Sequence, residues 1–211
     1  MSAPASTHRS LLLRLAATSE SFQKLELLSP SAGAVVCLRR IAKKGPQKEN
    51  PDLFDTADIE IETAKQGSMA FLRDYRIAER RSSIGTSYTA LRDASAYGAF
   101  LADNVPHLED AEALFELAER TLDAFAARKG ASAVVLLKGL YLIVRHEGYA
   151  VRESWWAGLP RRLKGPAREL LNAPAPEAEN WSAASETICR DAITALLDWV
   201  DRETDLIVAQ A

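Results

Sequence analysis

A short basic segment contains the residues with the clearest potential for chemistry. Five cationic side chains fall within ten positions: Arg39, Arg40, Lys43, Lys44 and Lys48. Arginine and lysine at this density can neutralise phosphate groups, and each neutralised phosphate releases counterions. Gly45 and Pro46 indicate a loop, which can follow a phosphate backbone without reading base sequence. The segment therefore predicts either a contact with nucleic acid or a solvated polar loop.

The placement of these cations in a strand decides which of them can act together. Successive side chains of a strand point to opposite faces, so only one of Arg39 and Arg40 is expected to join the loop lysines. Lys24 projects from another predicted strand and can extend the same surface. Together these residues form the candidate nucleic-acid site.

A second candidate site combines aromatic and cationic side chains. Trp155 and Trp156 are followed closely by Arg161 and Arg162. Exposed indoles beside arginines suit the capture of a short acidic peptide that ends in an aromatic residue. The alternative is that the indoles pack in the interior of the protein, and the sequence leaves both interpretations open.

The sequence contains no pattern typical of a catalytic or metal centre. His8, His107 and His146 are scattered, without an HExxH pair, a Ser/His/Asp order, a phosphate-binding glycine loop or a GxGxxG motif. Cys37 and Cys189 do not form a CxxC pair, which argues against structural zinc. We therefore expect a protein that is not an enzyme, with no catalytic residues, no cofactor and no bound metal. Cys189 lies among apolar helix positions and is expected to be a buried thiol.

The bulk composition indicates a folded protein with an uneven charge. The chain has 211 residues, of which 47% are hydrophobic and 26% charged, too apolar for a disordered protein. No apolar run reaches the roughly 18 to 20 residues that span a bilayer, so we expect a cytoplasmic protein without a membrane partner. The net charge of −3 conceals an imbalance, because residues 1–50 carry +5 and the remainder −8. This asymmetry indicates two regions with different partners.

The first 80 residues alternate polar and apolar positions as β-strands do. Ile59 and Ile61, for example, fall on one face, with acidic residues on the other. Five strands separated by turn-forming residues are expected at 11–16, 22–28, 35–41, 57–63 and 69–77. Segments 11–16 and 35–41 are apolar enough for strands that are buried on both sides. In the fifth strand, Phe71, Arg73 and Tyr75 should share a face, where the rings either stack on bases or pack in the core.

Beyond about residue 82 the apolar positions recur every three or four residues, as in amphipathic helices. Helices are expected at 88–102, 108–129, 134–144 and 166–171, and a last helix should run from the N-cap Ser182 to about Ile207. Five short strands suit a small closed barrel such as an OB-fold. The sequence thus predicts an α+β protein, with a five-stranded OB-fold barrel over residues 1–81 that binds DNA and an all-helical domain over 82–211 that binds a partner.

Several short motifs occur in the order found in one bacterial family. Thr18-Ser-Glu-Ser-Phe22 leads to Leu27-Leu-Ser-Pro-Ser-Ala-Gly33, and Pro51-Asp-Leu-Phe54 follows the basic segment. A helix then ends in Glu147-Gly-Tyr149. This arrangement resembles RecO, a family of DNA-repair and recombination mediators. Many members carry a four-cysteine zinc module after the Gly-Tyr pair, whereas this chain has a cysteine-free stretch over residues 150–161.

The resemblance implies a function that composition and spacing do not reveal. It implies that the protein binds single- and double-stranded DNA, promotes strand annealing and helps to load a recombinase on single-stranded DNA. It also implies partnership with RecR and with the tail of single-strand-binding protein. The alternative is a non-enzymatic adaptor, in which the acidic helical domain is the working part.

Overall fold

Five strands are followed by helices in the part of the chain that the structure describes. The structure is a computed structural model and describes residues 5–41, 50–64, 69–127, 131–177 and 180–209. The chain forms two compact units, one of Met1–Arg81 with Val105–Glu116 and one of Ser82–Asn104 with Leu117–Ala211. We call them the barrel unit and the helical unit. The predicted α+β class, with an N-terminal five-stranded sheet before the helices, is confirmed.

The sheet of the barrel unit closes on itself. Its strands are β1 (Ala5–Ala17), β2 (Phe22–Ser29), β3 (Gly33–Arg40), β4 (Thr56–Thr63) and β5 (Ala70–Glu79). They are hydrogen-bonded in the order β1-β2-β3-β5-β4, and β4 also pairs with β1. Every pairing is antiparallel except the short parallel contact of β3 with β5. The long strand β1 pairs with β4 from Ala5 to Leu11 and with β2 from Leu11 to Ala17. The register of its pairing with β2 shifts between Leu12 and Arg14.

The apolar face of each strand fills the interior of the barrel. Ile59 is fully buried and Ile61 packs against the same core, as the alternation predicts. The expectation that β3 is buried on both sides is wrong, because Val36 is 45% exposed while its neighbours Val35 and Cys37 are buried. Its apolar run misled the prediction, since an outward valine is common on a strand whose other face supplies the core.

A buried carboxylate anchors the chain where it enters β4. Asp55 is fully buried and accepts hydrogen bonds from Arg80 Nε and Nη2, at 3.0 and 2.8 Å. The Tyr75 hydroxyl donates a third bond at 3.2 Å, and the backbone N–H of Asp52 a fourth at 3.0 Å. Burial, together with the charge of Asp55, raises the pKa of the Tyr75 phenol. These bonds tie the chain before β4 to the end of β5.

The helical unit is built around a central apolar helix. The α-helices of the described residues are α1 (Tyr88–Asn104), α2 (Ala111–Ala127), α3 (Ser132–His146), α4 (Trp156–Gly158), α5 (Arg161–Asn172) and α6 (Ala183–Glu203). Helix α3 is buried along most of its length. A Cβ atom added at Gly139 would lie 2.8 Å from side-chain atoms of Thr121 on α2 and Tyr97 on α1, so glycine allows the close approach. None of the helices described is long and apolar enough to cross a membrane.

Two helix boundaries differ from the prediction by about four residues or more. Helix α5 begins at Arg161 rather than 166, and Pro166 lies inside it. Proline is common at the first position of a helix, which is why the prediction began the helix there, but Pro166 is the sixth residue of α5, where its missing N–H removes one intrahelical hydrogen bond. Helix α6 begins after Ser182, whose hydroxyl accepts the Ser185 N–H as predicted, but it ends at Glu203 because Thr204 is extended.

A second buried carboxylate joins helices of the helical unit. Asp93 on α1 is 1% exposed and accepts hydrogen bonds from Arg190 Nη2 at 2.7 Å and Ser132 Oγ at 2.6 Å. Arg92 Nε donates a third at 3.0 Å. Burial alone would raise the pKa of Asp93, but these donors outweigh it and lower the pKa below its ordinary value. Asp93 therefore holds α1 to the start of α3 and the middle of α6.

Candidate nucleic-acid interface

The predicted cationic residues divide between described and undescribed parts of the chain. Lys43, Lys44 and Lys48 lie outside the described residues. Lys24 is on β2, where its ammonium is 2.7 Å from Glu26 Oε1, so an ion pair already offsets its charge. Arg39 and Arg40 are the last two residues of β3.

The two arginines at the end of β3 have different surroundings. Arg39 is half-buried and donates a hydrogen bond to Asn50 Oδ1, and burial lowers the pKa of its guanidinium. Arg40 is exposed and has no hydrogen-bond or ion-pair partner among the described residues. Arg40 is therefore the cation of this pair that is available to an incoming anion.

An aromatic pair lies beside Arg40 on the outside of the barrel. The rings of Phe22 and Phe71 meet edge to face, with centroids 6.2 Å apart. Strand pairing places Phe22 opposite Arg40 and Phe71 opposite Leu38. Phe22, Leu38, Arg40 and Phe71 line a pocket of about 350 Å³, and we call these four residues the barrel patch. Glu62 and Arg73, which form an ion pair with each other, line the same pocket.

The predicted common face of Phe71, Arg73 and Tyr75 is wrong. Leu72 pairs with Ile61 and Asp74 with Glu60, so Arg73 is an extra residue in β5. A bulge of this kind shifts the alternation by one position. Tyr75 therefore points into the core, Phe71 points outward, and Arg73 forms an ion pair with Glu62. Period-two alternation gives no warning of a bulge.

Phe22 and Leu38 belong to the barrel patch but were not among the predicted site residues. Phe22 and Lys24 share a face of β2 by simple alternation, which was a usable signal for one side of the barrel patch. The partner strand of β5 was not predictable in the same way. The parallel contact of β3 with β5 brings together residues that are 33 positions apart, as in the pair Leu38 and Phe71.

Two of the four residues of the second candidate site, Trp155 and Arg162, are already engaged within the protein. Trp155 is 2% exposed and packs against Tyr141, with ring centroids 6.0 Å apart. Trp156 is half-buried, and Arg161 is exposed at the start of α5. Arg162 forms an ion pair with Asp191 at 2.7 Å. The burial of Trp155 fits the interpretation that this indole is an interior residue, and only Trp156 of the two can touch a ligand.

The two cysteines are buried thiols of low reactivity. Cys37 and Cys189 are both buried, as expected for Cys189, and burial raises the pKa of each thiol to about 12. Thiols held protonated in this way are poor nucleophiles. No group of three His, Cys, Asp or Glu side chains among the described residues is arranged to hold a metal ion.

Comparison with known proteins does not assign the chain to a family. The chain matches no protein-family model and no curated protein sequence. What the barrel patch can bind therefore follows from its own chemistry. The half-buried rings of Phe22 and Phe71 offer their accessible faces to nucleobases, and a guanidinium without an ion-pair partner among the described residues offers donors to phosphate oxygens.

Proposed function

We propose that this chain is a cytoplasmic DNA-binding mediator of recombination and repair, and that its barrel is an OB-fold that binds single-stranded DNA. The observation that carries this proposal is the edge-to-face pair of Phe22 and Phe71 beside Arg40, which has no partner among the described residues. OB-folds bind oligonucleotides on the face formed by their second and third strands. Phe22 lies on β2 and Arg40 on β3, which supports this assignment.

The barrel patch would bind a single strand without reading its sequence. Every nucleobase has a π face, so stacking on Phe22 or Phe71 tolerates any base. Arg40 would contact a backbone phosphate, which is common to all nucleotides. The predicted loop lysines Lys43, Lys44 and Lys48 follow Arg40 directly in sequence and would extend the contact along the same backbone.

The mediator role and the partners extend this proposal through the resemblance to RecO. Strand annealing, recombinase loading, double-stranded DNA binding and partnership with RecR and single-strand-binding protein are all proposed on that basis. Of the second candidate site, Arg161 is exposed and Trp156 is half-buried, so these are the two residues that a ligand can reach. DNA binding by the barrel patch does not depend on any of these partners and can be tested alone.

A salt titration of a fluorescent single-stranded oligonucleotide tests the DNA proposal. The double variant Arg40→Gln/Phe71→Leu of the full chain should bind about tenfold more weakly, because it lacks one stacking ring and one phosphate-binding guanidinium. The slope of log affinity against log salt should flatten by roughly 0.7, because one phosphate fewer is neutralised. The affinity for oligonucleotides of different sequence should fall by the same factor.

The matched control changes an exposed arginine and an exposed ring elsewhere. Arg76→Gln/Tyr88→Leu alters the same charge and removes a ring that is 79% exposed, and its affinity should equal that of the wild type. A further variant, Lys43→Gln/Lys44→Gln/Lys48→Gln, should flatten the slope by roughly 0.7 for each phosphate that is no longer neutralised. If both patch and loop variants bind DNA like the wild type, the barrel is not the DNA site. If the wild type itself binds no DNA, the adaptor alternative takes the place of the DNA proposal.

A further inference from the structure

The helical unit has a pocket between α3, α4 and α5 whose lining is mostly cationic and aromatic. Its volume is about 520 Å³, within the range of small-molecule sites. Helix α3 contributes one stripe, Lys138, Tyr141, Leu142 and Arg145, which follow the i, i+3, i+4, i+7 spacing of a single helix face. Lys138 and Arg145 are about 10 Å apart along the helix axis at 1.5 Å per residue.

Three arginines of this pocket have no charge partner in the part of the chain that the structure describes. The side chains of Arg145, Arg152 and Arg168 are exposed and form no ion pair or hydrogen bond with other described residues. Elsewhere in the same unit, Arg162 and Arg190 are paired with carboxylates. Three like charges around one pocket repel one another, and an anionic ligand would relieve that repulsion.

The hydrogen-bonding groups of the pocket select the kind of anion. Arginine and lysine side chains donate but cannot accept hydrogen bonds. Lys138 already donates to the carbonyl of Ala173, and acceptor capacity among the described lining side chains is confined to Asn172 and the Tyr141 hydroxyl. An acidic peptide would bring several backbone N–H groups that need acceptors, whereas a phosphodiester backbone carries acceptors only. The side chains that line this pocket therefore suit a phosphodiester backbone better than a peptide.

An aromatic row supplies a surface for a base. Trp155 is buried between two other rings, with centroids 6.0 Å from Tyr141 and 6.0 Å from Trp156. The Trp156 indole is thus held by a buried neighbour while part of it lines the pocket. A ring fixed in this way loses little conformational freedom when a base stacks on it.

We propose that this pocket is a second nucleic-acid site, which binds a nucleotide unit of single-stranded DNA. The base stacks on Trp156, and Arg145, Arg152 and Arg168 contact the phosphates on either side. The site lies wholly in the helical unit and shares no residue with the barrel patch. The chain then has one strand-binding site in each unit.

Photo-crosslinking locates the site directly. An oligonucleotide that contains 5-bromodeoxyuridine is irradiated with the full chain, and the modified peptides are mapped by mass spectrometry. We expect adducts at Trp156 or Tyr141, both in the wild type and in Arg40→Gln/Phe71→Leu. Adducts confined to residues 5–81 would overturn the inference and leave the barrel proposal intact. Adducts confined to the helical unit would support the inference and overturn the barrel proposal.

Matched variants test the same site in solution. In the Arg40→Gln/Phe71→Leu background, Arg152→Gln/Arg168→Gln should flatten the salt slope by roughly 1.4, because two phosphates fewer are neutralised. Arg9→Gln/Arg202→Gln changes the charge equally outside both sites and should leave the slope unchanged. Trp156→Leu should weaken binding about tenfold, because it removes the ring on which the base stacks. A melting curve by circular dichroism confirms that each variant is folded, and equal slopes for the two arginine pairs would overturn the inference.

Two further ligands test whether the pocket binds single-stranded DNA, a free nucleotide or an acidic peptide. A free deoxynucleoside monophosphate should bind the pocket much more weakly than a short oligonucleotide, because it offers a single phosphate to three arginines. Equal affinity would reassign the pocket to free nucleotides. The second ligand to be tested is an acidic peptide with a terminal phenylalanine. If the pocket variant loses the peptide but keeps all DNA binding, the site belongs to a protein partner and the inference fails.

Discussion

The two units use arginine in the same two ways. Each contains a buried aspartate, Asp55 in the barrel unit and Asp93 in the helical unit, that arginine side chains neutralise. Each also presents arginine without a described partner beside aromatic rings, at Arg40 in the barrel patch and at Arg145 and its neighbours in the helical pocket. Arginines that hold the fold are paired, and those that we assign to ligands have no partner among the described residues.

The units differ in what their buried aspartate holds together. Asp55 accepts hydrogen bonds from Arg80, just after β5, and from Asp52 in its own loop, so it holds the start of β4 to the end of β5. Asp93 binds donors that are 39 and 97 residues away, on α3 and α6. Strand pairing already secures most of the barrel unit, whereas packed helices have no hydrogen bonds between backbones. The helical unit should therefore depend more on its polar centre.

The largest expected effect is the loss of Asp93. Asp93→Ala removes the acceptor of three hydrogen bonds and leaves Arg190 without its buried partner, which should lower the free energy of unfolding by about 3 kcal/mol. Urea denaturation followed by tryptophan fluorescence measures this change in the helical unit, because all four tryptophans lie between residues 155 and 199. The exposed Asp198 provides a control, and Asp198→Ala should change stability by less than about 0.5 kcal/mol. Equal effects of the two substitutions would contradict the role of Asp93.

A smaller loss is expected where helices α1, α2 and α3 meet. Gly139→Ala places a methyl group 2.8 Å from Thr121 and Tyr97, so the helices must separate, at a cost of about 2 kcal/mol. Gly165 on α5 has no atom within 4 Å of an added Cβ, so Gly165→Ala should stabilise the helix by about 0.5 to 1 kcal/mol. The same fluorescence measurement compares the two. Destabilisation by both alanines would mean that the backbone, not the close approach, is the cause.

A change of about 1 kcal/mol is expected in the barrel unit. Tyr75→Phe deletes the hydroxyl that donates to Asp55 while Arg80 continues to neutralise the carboxylate. Hydrogen exchange with mass spectrometry can report on this unit, and the amides of β4 and β5 should lose protection. Peptides from α3 and α6 serve as the internal control and should exchange as in the wild type.

The smallest expected effect is the change in the stabilisation by Asp93 at acid pH. The pKa of Asp93 is lowered in the folded state, so its contribution to stability is complete above the unfolded value, about 3.9, and is lost as the pH falls through the folded value. The difference in unfolding free energy between wild type and Asp93→Asn should therefore narrow from pH 7 to pH 3. A difference that stays constant over this interval would show that the carboxylate charge is not what stabilises the helices.

Local patterns predicted the elements well and their contacts poorly. Period-two alternation and short apolar runs located the five strands, although β1 begins at Ala5 and not at the predicted Leu11, and the Ser182 cap marked the start of α6. The extra residue Arg73 in β5 had no local signature, since a bulge is defined only by the register of the neighbouring strand. For the same reason, the assignment of Phe71 to the core or the surface was undecidable from the sequence.

The candidate sites show the same division. The sequence singled out Arg40 and Trp156 as site residues, but it did not single out Phe22 or the arginines of the helical pocket. Phe22 joined Phe71 only when the parallel contact of β3 with β5 closed the barrel. The helical pocket likewise takes Arg145 from α3 and Arg168 from α5, which no periodicity connects.

The sequence by itself determined roughly where the strands and the longer helices lie, and which side chains carry charge. Those properties depend on neighbours within a few positions, through backbone sterics and the spacing of apolar residues. The tertiary structure alone decided that Trp155 is interior, that Arg39 is bound to Asn50, and that Arg40 has no such partner among the described residues. Burial and pairing depend on residues that are distant in the chain, and the chain must fold before they meet.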